Sequence, residues 1–191
     1  MEAFLISTGV VAVAEIGDKT QLLAFMLASR FRRPVAVILG IFFATVANHL
    51  LAAWVGTLVA EWLGGPLLKA VLGLSFLAMA VWVLKPDDEE ELPQQLSRMG
   101  AFLTTLAAFF LIEIGDKTQI ATVALGARFS EVAIVTAGTT LGMMLADVPA
   151  VFIGEAAAHK VPLRLVHGTA AVMFAALGAL ALFDAGRGFF G

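Results

Sequence analysis

The sequence contains no cysteine, so disulfides, thiolate metal sites and cysteine nucleophiles are all excluded. Charged residues are scarce as well, since they make up only 14% of the 191 residues, whereas a soluble domain carries about 25%. The net charge of −3 gives no indication of nucleic-acid binding. The sequence also lacks a phosphate-binding loop of the nucleotide-hydrolysing kind, so nothing in it indicates a reaction driven by ATP.

Apolar residues dominate instead: they make up 60% of the chain and give it a mean hydropathy of +0.95. They occur in six long runs, each near the roughly 20 residues that a helix needs to cross the hydrocarbon core. The runs predict transmembrane helices at 4–28, 35–58, 67–84, 100–125, 132–156 and 163–183. The chain is therefore predicted to be an all-α integral membrane protein with six transmembrane helices. Its only sizeable loop, which is acidic, lies between the third and fourth helices.

Two of these apolar runs are interrupted by the same seven residues. Glu-Ile-Gly-Asp-Lys-Thr-Gln occupies 15–21 and returns at 113–119, an offset of 113 − 15 = 98 residues. Each copy lies in the middle of a predicted helix, where a charged side chain costs roughly 2.5–3.5 kcal/mol on insertion scales. A chain that has Glu, Asp and Lys at this depth twice is expected to use them.

The same offset relates other residues, so the motif belongs to an internal repeat. Arg30 matches Arg128, Gly40 matches Gly138 and Gly56 matches Gly154, without a gap. Each repeat holds three helices, and because three is odd, the second copy must enter the membrane from the opposite side. We therefore predict two inverted three-helix repeats, at 1–84 and 100–191, joined by a linker at 85–99. This architecture is common in secondary transporters, whose sites lie at the midplane between the repeats.

Basic residues outside the motifs are unevenly distributed between the two predicted sides of the membrane. One side carries seven, which are Arg30, Arg32, Arg33, Lys85, Arg98, Lys160 and Arg164. The other side carries three, which are Lys69, Arg128 and Arg187. Because cytoplasmic loops carry the excess of basic residues, the central loop is predicted to be cytoplasmic and both termini are predicted to lie outside.

The repeated motif carries the side chains of a metal site. On a continuous helix, the first, fourth and seventh residues of the motif share one face. These residues are Glu15, Asp18 and Gln21 in one repeat and Glu113, Asp116 and Gln119 in the other. Inverted symmetry brings the two faces together, which predicts four carboxylates with threonine and glutamine oxygens beside them. Hard oxygen donors suit Ca²⁺, Mn²⁺ or Mg²⁺ rather than copper or zinc. Gly17 and Gly115 could permit close backbone approach or a local helix break.

The charges of this site suggest a mechanism. Four carboxylates together with Lys19 and Lys117 sum to −2 if all are ionised, and one divalent cation would neutralise that charge. When the cation leaves, crowding and desolvation favour protonation of the carboxylates, which predicts exchange of metal for protons. A structural interpretation competes with this one, because Glu15 with Lys19 and Glu113 with Lys117 have the i,i+4 spacing of intrahelical ion pairs. The lysines could be counter-ions only, or they could take part in the transport cycle.

His49 and Asp147, in the second and fifth predicted helices, are also related by the offset of 98 residues. Histidine titrates near neutral pH, and acids inside the membrane often belong to proton relays. The pair is therefore a candidate proton relay, and the alternative is a polar contact between helices. In the fifth helix, Gly138 and Gly142 form a GxxxG pair, which predicts tight packing within the bundle rather than dimerisation.

The doubled motif resembles the pattern Glu-apolar-Gly-Asp-Lys/Arg-Thr/Ser of the Golgi-type calcium/manganese:proton antiporter family. Both copies match this pattern, and the resemblance covers essentially the whole chain. It implies that the cation is bound by four carboxylates, with four polar groups in support. The carboxylates are those of Glu15, Asp18, Glu113 and Asp116, and the supporting residues are Thr20, Gln21, Thr118 and Gln119. The resemblance also implies a cytosolic central loop, and small bacterial members of the family are described as manganese exporters.

We therefore predict a secondary transporter of the bacterial inner (plasma) membrane that exports a divalent cation, with Mn²⁺ favoured, in exchange for protons. The alternatives are a Ca²⁺/proton antiporter, a small-metabolite exporter, an intramembrane enzyme with paired acids, and a non-transporting scaffold. The expected partners are the metal ion, protons and the lipid bilayer. We expect no bound cofactor, no nucleic acid and no obligate protein partner.

Overall fold

The computed structural model describes residues 1–85, 99–153 and 163–190, and every regular element in these ranges is a helix. The described helices are α1 (Glu2–Glu15), α2 (Lys19–Phe31), α3 (Pro34–Leu63), α4 (Gly65–Trp82), α5 (Gly100–Glu113), α6 (Lys117–Phe129), α7 (Val132–Ile153) and α8 (Leu163–Phe190). The all-α prediction is thus confirmed for this part of the chain. The predicted acidic loop, Gly154 and the predicted end of the fifth helix lie outside the described residues.

The helices predicted at 4–28 and 100–125 are each interrupted, because the chain turns within each motif. Of the two roles suggested for Gly17 and Gly115, the structure has the local helix break. α1 and α2 are separated by a short turn, and α5 and α6 are separated in the same way. In the first copy, Ile16 (φ −64°, ψ 115°) and Gly17 (φ 84°) have the backbone angles of a type II turn. The amide of Asp18 closes the turn by donating to the Glu15 carbonyl at 3.0 Å.

The second copy has the same turn. Ile114 has φ −64° and ψ 116°, Gly115 has φ 80°, and the Asp116 amide donates to the Glu113 carbonyl at 3.1 Å. A type II turn requires a positive φ at its third residue, and glycine adopts this angle without the Cβ clash of other residues. The glycines therefore break the two helices at the same position of each repeat.

Four of the described helices, α3, α4, α7 and α8, are long and apolar enough to cross a membrane. Spans were predicted at these four places. α3 begins at Pro34, a residue favoured in the first turn of a helix, and it runs to Leu63, beyond the predicted end at 58. α8 likewise continues past 183 to Phe190. α1, α2, α5 and α6 have only 13 or 14 residues, so each alone is too short to cross the hydrocarbon core.

Glycines determine how closely the long helices approach their neighbours. A Cβ added at Gly138 of α7 would lie 2.7 Å from the carbonyl oxygen of Phe4 in α1, and Gly142 faces the same helix. In the other repeat, a Cβ at Gly40 of α3 would lie 2.7 Å from the Cβ of Thr105 in α5. The small residues predicted to pack within the bundle therefore bring α7 against α1 and α3 against α5.

The two repeats also meet through residues that the offset relates to each other. Phe76 of α4 and Phe174 of α8 are 98 positions apart, and their rings stack with centroids 6.4 Å apart. Beside them, a Cβ at Gly73 would lie 3.0 Å from the carbonyl oxygen of Gly178, so α4 and α8 approach closely. Contact between equivalent residues is what a local two-fold axis produces.

Away from this contact, the helices are not packed symmetrically. α4 and α8 contact α6 and α1, and these four helices supply most of an apolar core that contains Phe76, Phe174 and Leu125. α2 and α5 belong to a second core with α3 and α7, in which Phe109 is fully buried. Within the described ranges, α4 does not pack comparably on α5, nor α8 on α2, as full symmetry would require.

Candidate functional site

The two turns bring both motifs to one place in the molecule, where ion pairs connect them. α1 and α5 end there with their C-terminal carbonyl groups, and α2 and α6 begin there with their N-terminal amides. Helix ends leave backbone groups without intrahelical partners, and broken helices of transporters bind substrates and ions with such ends. The turns thus create a polar site within two apolar segments.

Three carboxylates of the motifs converge at this site. One oxygen each of Glu15, Glu113 and Asp116 lies within 4.8 Å of the other two. Both glutamates are 0% exposed and Asp116 is 6% exposed. Oxygen donors at this spacing are suitably arranged to share one divalent cation. Asp18, the fourth predicted carboxylate, is also buried but lies outside this carboxylate cluster.

Each motif lysine makes an ion pair with the aspartate of the other repeat. Lys19 Nζ lies 3.3 Å from Asp116 Oδ1, and Lys117 Nζ lies 3.7 Å from Asp18 Oδ1. The i,i+4 helical geometry predicted for Glu15 and Lys19 is wrong, because the turn separates these residues into α1 and α2. The lysines therefore connect the two repeats through a reciprocal pair of contacts.

The threonines of the motifs contact the glutamates. Thr20 Oγ1 donates a hydrogen bond to Glu15 Oε2 at 2.7 Å. Thr118 Oγ1 makes longer contacts, at 3.3 Å to Glu113 Oε2 and 3.5 Å to Asp116 Oδ2. The other oxygen of each glutamate, Oε1, is buried and has no hydrogen-bond partner in the part of the chain that the structure describes. Leaving a buried carboxylate oxygen unsatisfied is costly, and a bound cation would satisfy both.

The glutamines of the motifs stabilise the turns. The amide of Gly17 donates to Gln21 Oε1 at 2.8 Å, and the amide of Gly115 donates to Gln119 Oε1 at 2.7 Å. Gln21 Nε2 also donates to the carbonyl of Ala146 in α7 at 2.8 Å. The two glutamine side chains thus hold Gly17 and Gly115 in place, and Gln21 also connects its turn to α7.

Asp147 and His49, the candidate proton relay, are both fully buried. Within the described residues, neither the Asp147 carboxylate oxygens nor the His49 ring nitrogens have a hydrogen-bond partner. Asp147 is close enough to Glu15 and Glu113 for charge–charge interaction. Asp147 therefore borders the carboxylate cluster as a further acid.

Two contacts at the edge of the site were not predicted. Lys117 Nζ donates to the carbonyl of Lys85, just after α4, at 3.3 Å. Because this acceptor is a main-chain atom, the sequence carries no signal for it. Asn48 Nδ2 donates to the Phe110 carbonyl at 3.1 Å and so ties α3 to α5. The sequence did carry a signal for this contact, because a buried amide side chain in an apolar helix requires a hydrogen-bond partner.

Comparison with known proteins gives a consistent result. The family model "Divalent cation/proton antiporter GDT1" matches residues 3–91 and 101–188. A Vibrio cholerae protein named "Putative manganese exporter" is 52% identical over 177 residues, covering 91% of this chain and 87% of that protein. An Oryza sativa subsp. indica protein named "GDT1-like protein 4" is 28% identical over 187 residues, covering 84% of this chain and 66% of the rice protein. No solved structure matches the chain.

The match includes both motifs and runs in two parts, and the break between them, after residue 91, falls within the predicted linker. It confirms the resemblance found in the sequence and the predicted activity class, which is antiport of divalent cations against protons rather than enzyme catalysis. This multi-pass membrane protein belongs to the GDT1 family of divalent cation/proton antiporters.

Proposed function

We propose that this chain exports Mn²⁺ in exchange for protons and that Glu15, Glu113 and Asp116 bind the cation. The observation that carries the proposal is the convergence of these three buried carboxylates within 4.8 Å, in a member of a divalent cation/proton antiporter family. The threonines and glutamines of the motifs hold the carboxylates and the turns. Asp18 is part of the same site through its ion pair with Lys117.

The chemistry of the donors supports a hard cation. The cluster contains carboxylate oxygens and neither sulfur nor imidazole, which favours Mn²⁺, Mg²⁺ or Ca²⁺ over copper and zinc. The name of the Vibrio cholerae relative, at 52% identity, supports Mn²⁺ within this group. Ca²⁺/proton antiport is the second candidate, because carboxylate oxygens also suit Ca²⁺.

The charge of the site supports proton coupling. Four motif carboxylates and two lysines sum to −2, so one divalent cation neutralises the site. Once the cation leaves, buried anions without sufficient counter-charge are unfavourable, and protons replace the cation. Asp147 and His49 form the proposed proton route, because both are buried with unsatisfied polar atoms and Asp147 interacts with the cluster glutamates.

The proposed membrane arrangement has six spans. α1 with α2 and α5 with α6 each form one broken span, and α3, α4, α7 and α8 form the other four. The repeats are 1–84 and 100–191, with the linker at 85–99. The stacked phenylalanines and the reciprocal ion pairs support a two-fold relation between the repeats. With three spans in each repeat, that axis lies in the membrane plane, as in inverted-repeat transporters.

The proposed orientation in the bacterial inner membrane has the central linker in the cytoplasm and both termini outside. Seven basic residues on the linker side against three on the other side support it. In this orientation the turns lie near mid-depth, and the helices that follow the linker start from the cytoplasmic side. Export then requires that the carboxylate cluster be reached from each side in turn.

Flux into liposomes tests the proposal. Purified protein in vesicles with an acidic lumen is expected to take up Mn²⁺, and dissipating the pH gradient is expected to abolish uptake. Glu15→Gln and Glu113→Gln each remove a charged ligand worth about 3 kcal/mol and are expected to lower the rate about 100-fold. Asp184→Asn, at an exposed position of α8, is the matched control and should keep the wild-type rate.

The same vesicles distinguish the two candidate ions. Faster Ca²⁺ than Mn²⁺ uptake under the same gradient would favour the second candidate. Absence of flux for either ion under every gradient would contradict proton-coupled cation transport, and an unchanged rate in Glu15→Gln would remove the carboxylate cluster from the mechanism.

A further inference from the structure

The carboxylate cluster is asymmetric although the two motifs are identical. Glu15 and Glu113 both belong to it, but only one of the two aspartates, Asp116, joins them. Asp18 occupies the equivalent position of the first repeat and is paired with Lys117 instead. Asp18 and Asp116 are the same type of residue next to turns of the same geometry. Either aspartate therefore has the chemistry to join the two glutamates.

The side-chain contacts of the two motifs are asymmetric as well. Thr20 makes one short hydrogen bond, at 2.7 Å to Glu15, whereas Thr118 is shared between Glu113 at 3.3 Å and Asp116 at 3.5 Å. The two reciprocal ion pairs also differ, at 3.3 Å and 3.7 Å. The backbone does not share this asymmetry, since the turn glycines have φ of 84° and 80°. The asymmetry therefore arises outside the turns, from how the repeats dock and from the residues around the motifs, such as Asp147 and its repeat equivalent His49.

The packing of the helices around the site has a matching asymmetry. α8 covers α1 and α4 contacts α6, while the described ranges show no comparable packing of α4 on α5 or α8 on α2. Exchanging the conformations of the two repeats would move the α4–α8 pair from the first core to the second. An antiporter must pass through two such forms, and a two-fold relation between repeats makes them similar in structure.

We infer that the protein has a second cation position, formed by Glu15, Glu113 and Asp18, in the form with exchanged repeats. In that form Asp18 joins the two glutamates and Asp116 leaves them. The glutamates are common to both positions, because the buried Oε1 atom of each has no hydrogen-bond partner. The cation then moves from the Asp116 side to the Asp18 side as access alternates. This inference rests on the proposed function, since it concerns the path of the same cation.

The absence of native cysteine allows each form to be locked with introduced pairs. Gly9 of α1 lies against Met173 of α8, where an added Cβ would be 3.6 Å from Met173 Cε. Joining Gly9→Cys and Met173→Cys with a short thiol crosslinker is expected to lock the form described above. The repeat equivalents are Ala107 of α5 and Ser75 of α4, and joining cysteines there is expected to lock the exchanged form.

Mn²⁺ binding to the two locked proteins, measured by titration calorimetry, tests the inference. In the 9–173 crosslinked protein, Asp116→Asn is expected to weaken Mn²⁺ binding at least about tenfold more than Asp18→Asn. In the 75–107 crosslinked protein, the order is expected to reverse. Both substitutions remove one negative charge near the site. A reversal in the order of their effects therefore reports which aspartate binds Mn²⁺ directly, rather than the electrostatic effect of losing a charge nearby. Asp184→Asn serves as the control with wild-type affinity in both proteins.

The outcomes separate this inference from the proposed function. If Asp116→Asn is the more damaging substitution in both locked proteins, or if the two are equal in both, a single cation position exists and the inference is overturned. Failure of the 75–107 pair to crosslink during Mn²⁺ turnover would overturn it as well. If the unlocked wild type and both locked proteins bind no Mn²⁺, the proposed function itself fails.

Discussion

At the scale of single residues, the site depends on opposite charges that are buried together. Lys19 is 3.3 Å from Asp116, which is also a member of the carboxylate cluster. A buried carboxylate without a counter-charge is strongly unfavourable, so the lysine stabilises the site when no cation is present. In the proposed cation site the same lysine competes with the cation for Asp116, and it is therefore expected to affect how tightly the cation is held.

Lys19→Gln is expected to lower both the KM for Mn²⁺ and the maximal rate. Without Lys19 the formal charge of the site falls from −2 to −3, so the cation binds more tightly and leaves more slowly. A change of about tenfold in KM corresponds to about 1.4 kcal/mol. Initial rates of Mn²⁺ uptake by proteoliposomes at several concentrations measure both quantities. Lys19→Arg keeps the charge, so its KM and maximal rate should stay close to those of the wild type. An increased KM in Lys19→Gln would contradict competition between Lys19 and the cation for Asp116.

At the scale of secondary-structure elements, the two type II turns decide what the motif does. They end α1 and α5 at a glutamate and start α2 and α6 at a lysine, so that charged side chains and helix ends meet at one site. The turns depend on glycine at positive φ and on the glutamine that accepts a hydrogen bond from the glycine amide. Without the turns, each motif would be one more stretch of helix, and its carboxylates would project along one face.

Gly115→Ala is expected to destabilise the protein and to slow transport. A Cβ at Gly115 would meet nothing within 4 Å, so its cost arises from the backbone angle of 80° alone, which is about 1–2 kcal/mol for an L-residue. Thermal unfolding in detergent and Mn²⁺ uptake measure the two effects.

Gly168→Ala is the matched control for this substitution. Gly168 lies in α8 and also has nothing within 4 Å of an added Cβ, but alanine is favoured there because the position is helical. The control should be neutral or stabilising by up to about 1 kcal/mol. Equal melting temperatures for Gly115→Ala and Gly168→Ala would contradict a role for the turn conformation.

At the scale of the whole molecule, the surface is adapted to lipid rather than to water. Large apolar side chains such as Leu74 (61% exposed), Phe152 (65%) and Leu165 (70%) lie on the outside, while those of Glu15, Glu113, Asp147 and His49 are fully buried. Exposed apolar area of this extent is unusual for a soluble monomer. The buried ionisable groups and the apolar exterior agree with a multi-pass membrane protein of a cation/proton antiporter family.

Labelling of single cysteines tests the proposed orientation. In intact cells, a membrane-impermeant maleimide is expected to label Trp62→Cys, at the end of α3, and Glu131→Cys, at the start of α7, because the proposed orientation has both positions on the outer side. Ser97→Cys, in the linker, should be labelled only after the cells are opened. The cysteine-free parent protein is the control for background labelling. Labelling of the linker cysteine in intact cells would reverse the orientation.

Much of the fold and of the site could be predicted from the sequence. The offset of 98 residues identified the repeat, the apolar runs predicted the positions of α3, α4, α7 and α8, and the motif supplied Glu15, Glu113 and Asp116. The prediction of these four long helices is confirmed, because it depends on composition and local pattern. The helical reading of the motif failed because glycine is compatible both with a helix and with a turn, and the local sequence alone does not decide between them.

The sequence by itself determined which ionisable groups interrupt the apolar runs, that those of the two motifs are identical, and that hard oxygen donors dominate the motifs. Only the tertiary structure decided that each lysine pairs with the aspartate of the other repeat, that Asp116 rather than Asp18 joins the two glutamates, and that the Lys85 carbonyl reaches Lys117. The physical reason is that these contacts join residues far apart in the chain. Their partners depend on how two repeats with identical motifs dock, and identical motifs contain no information about which copy takes which role.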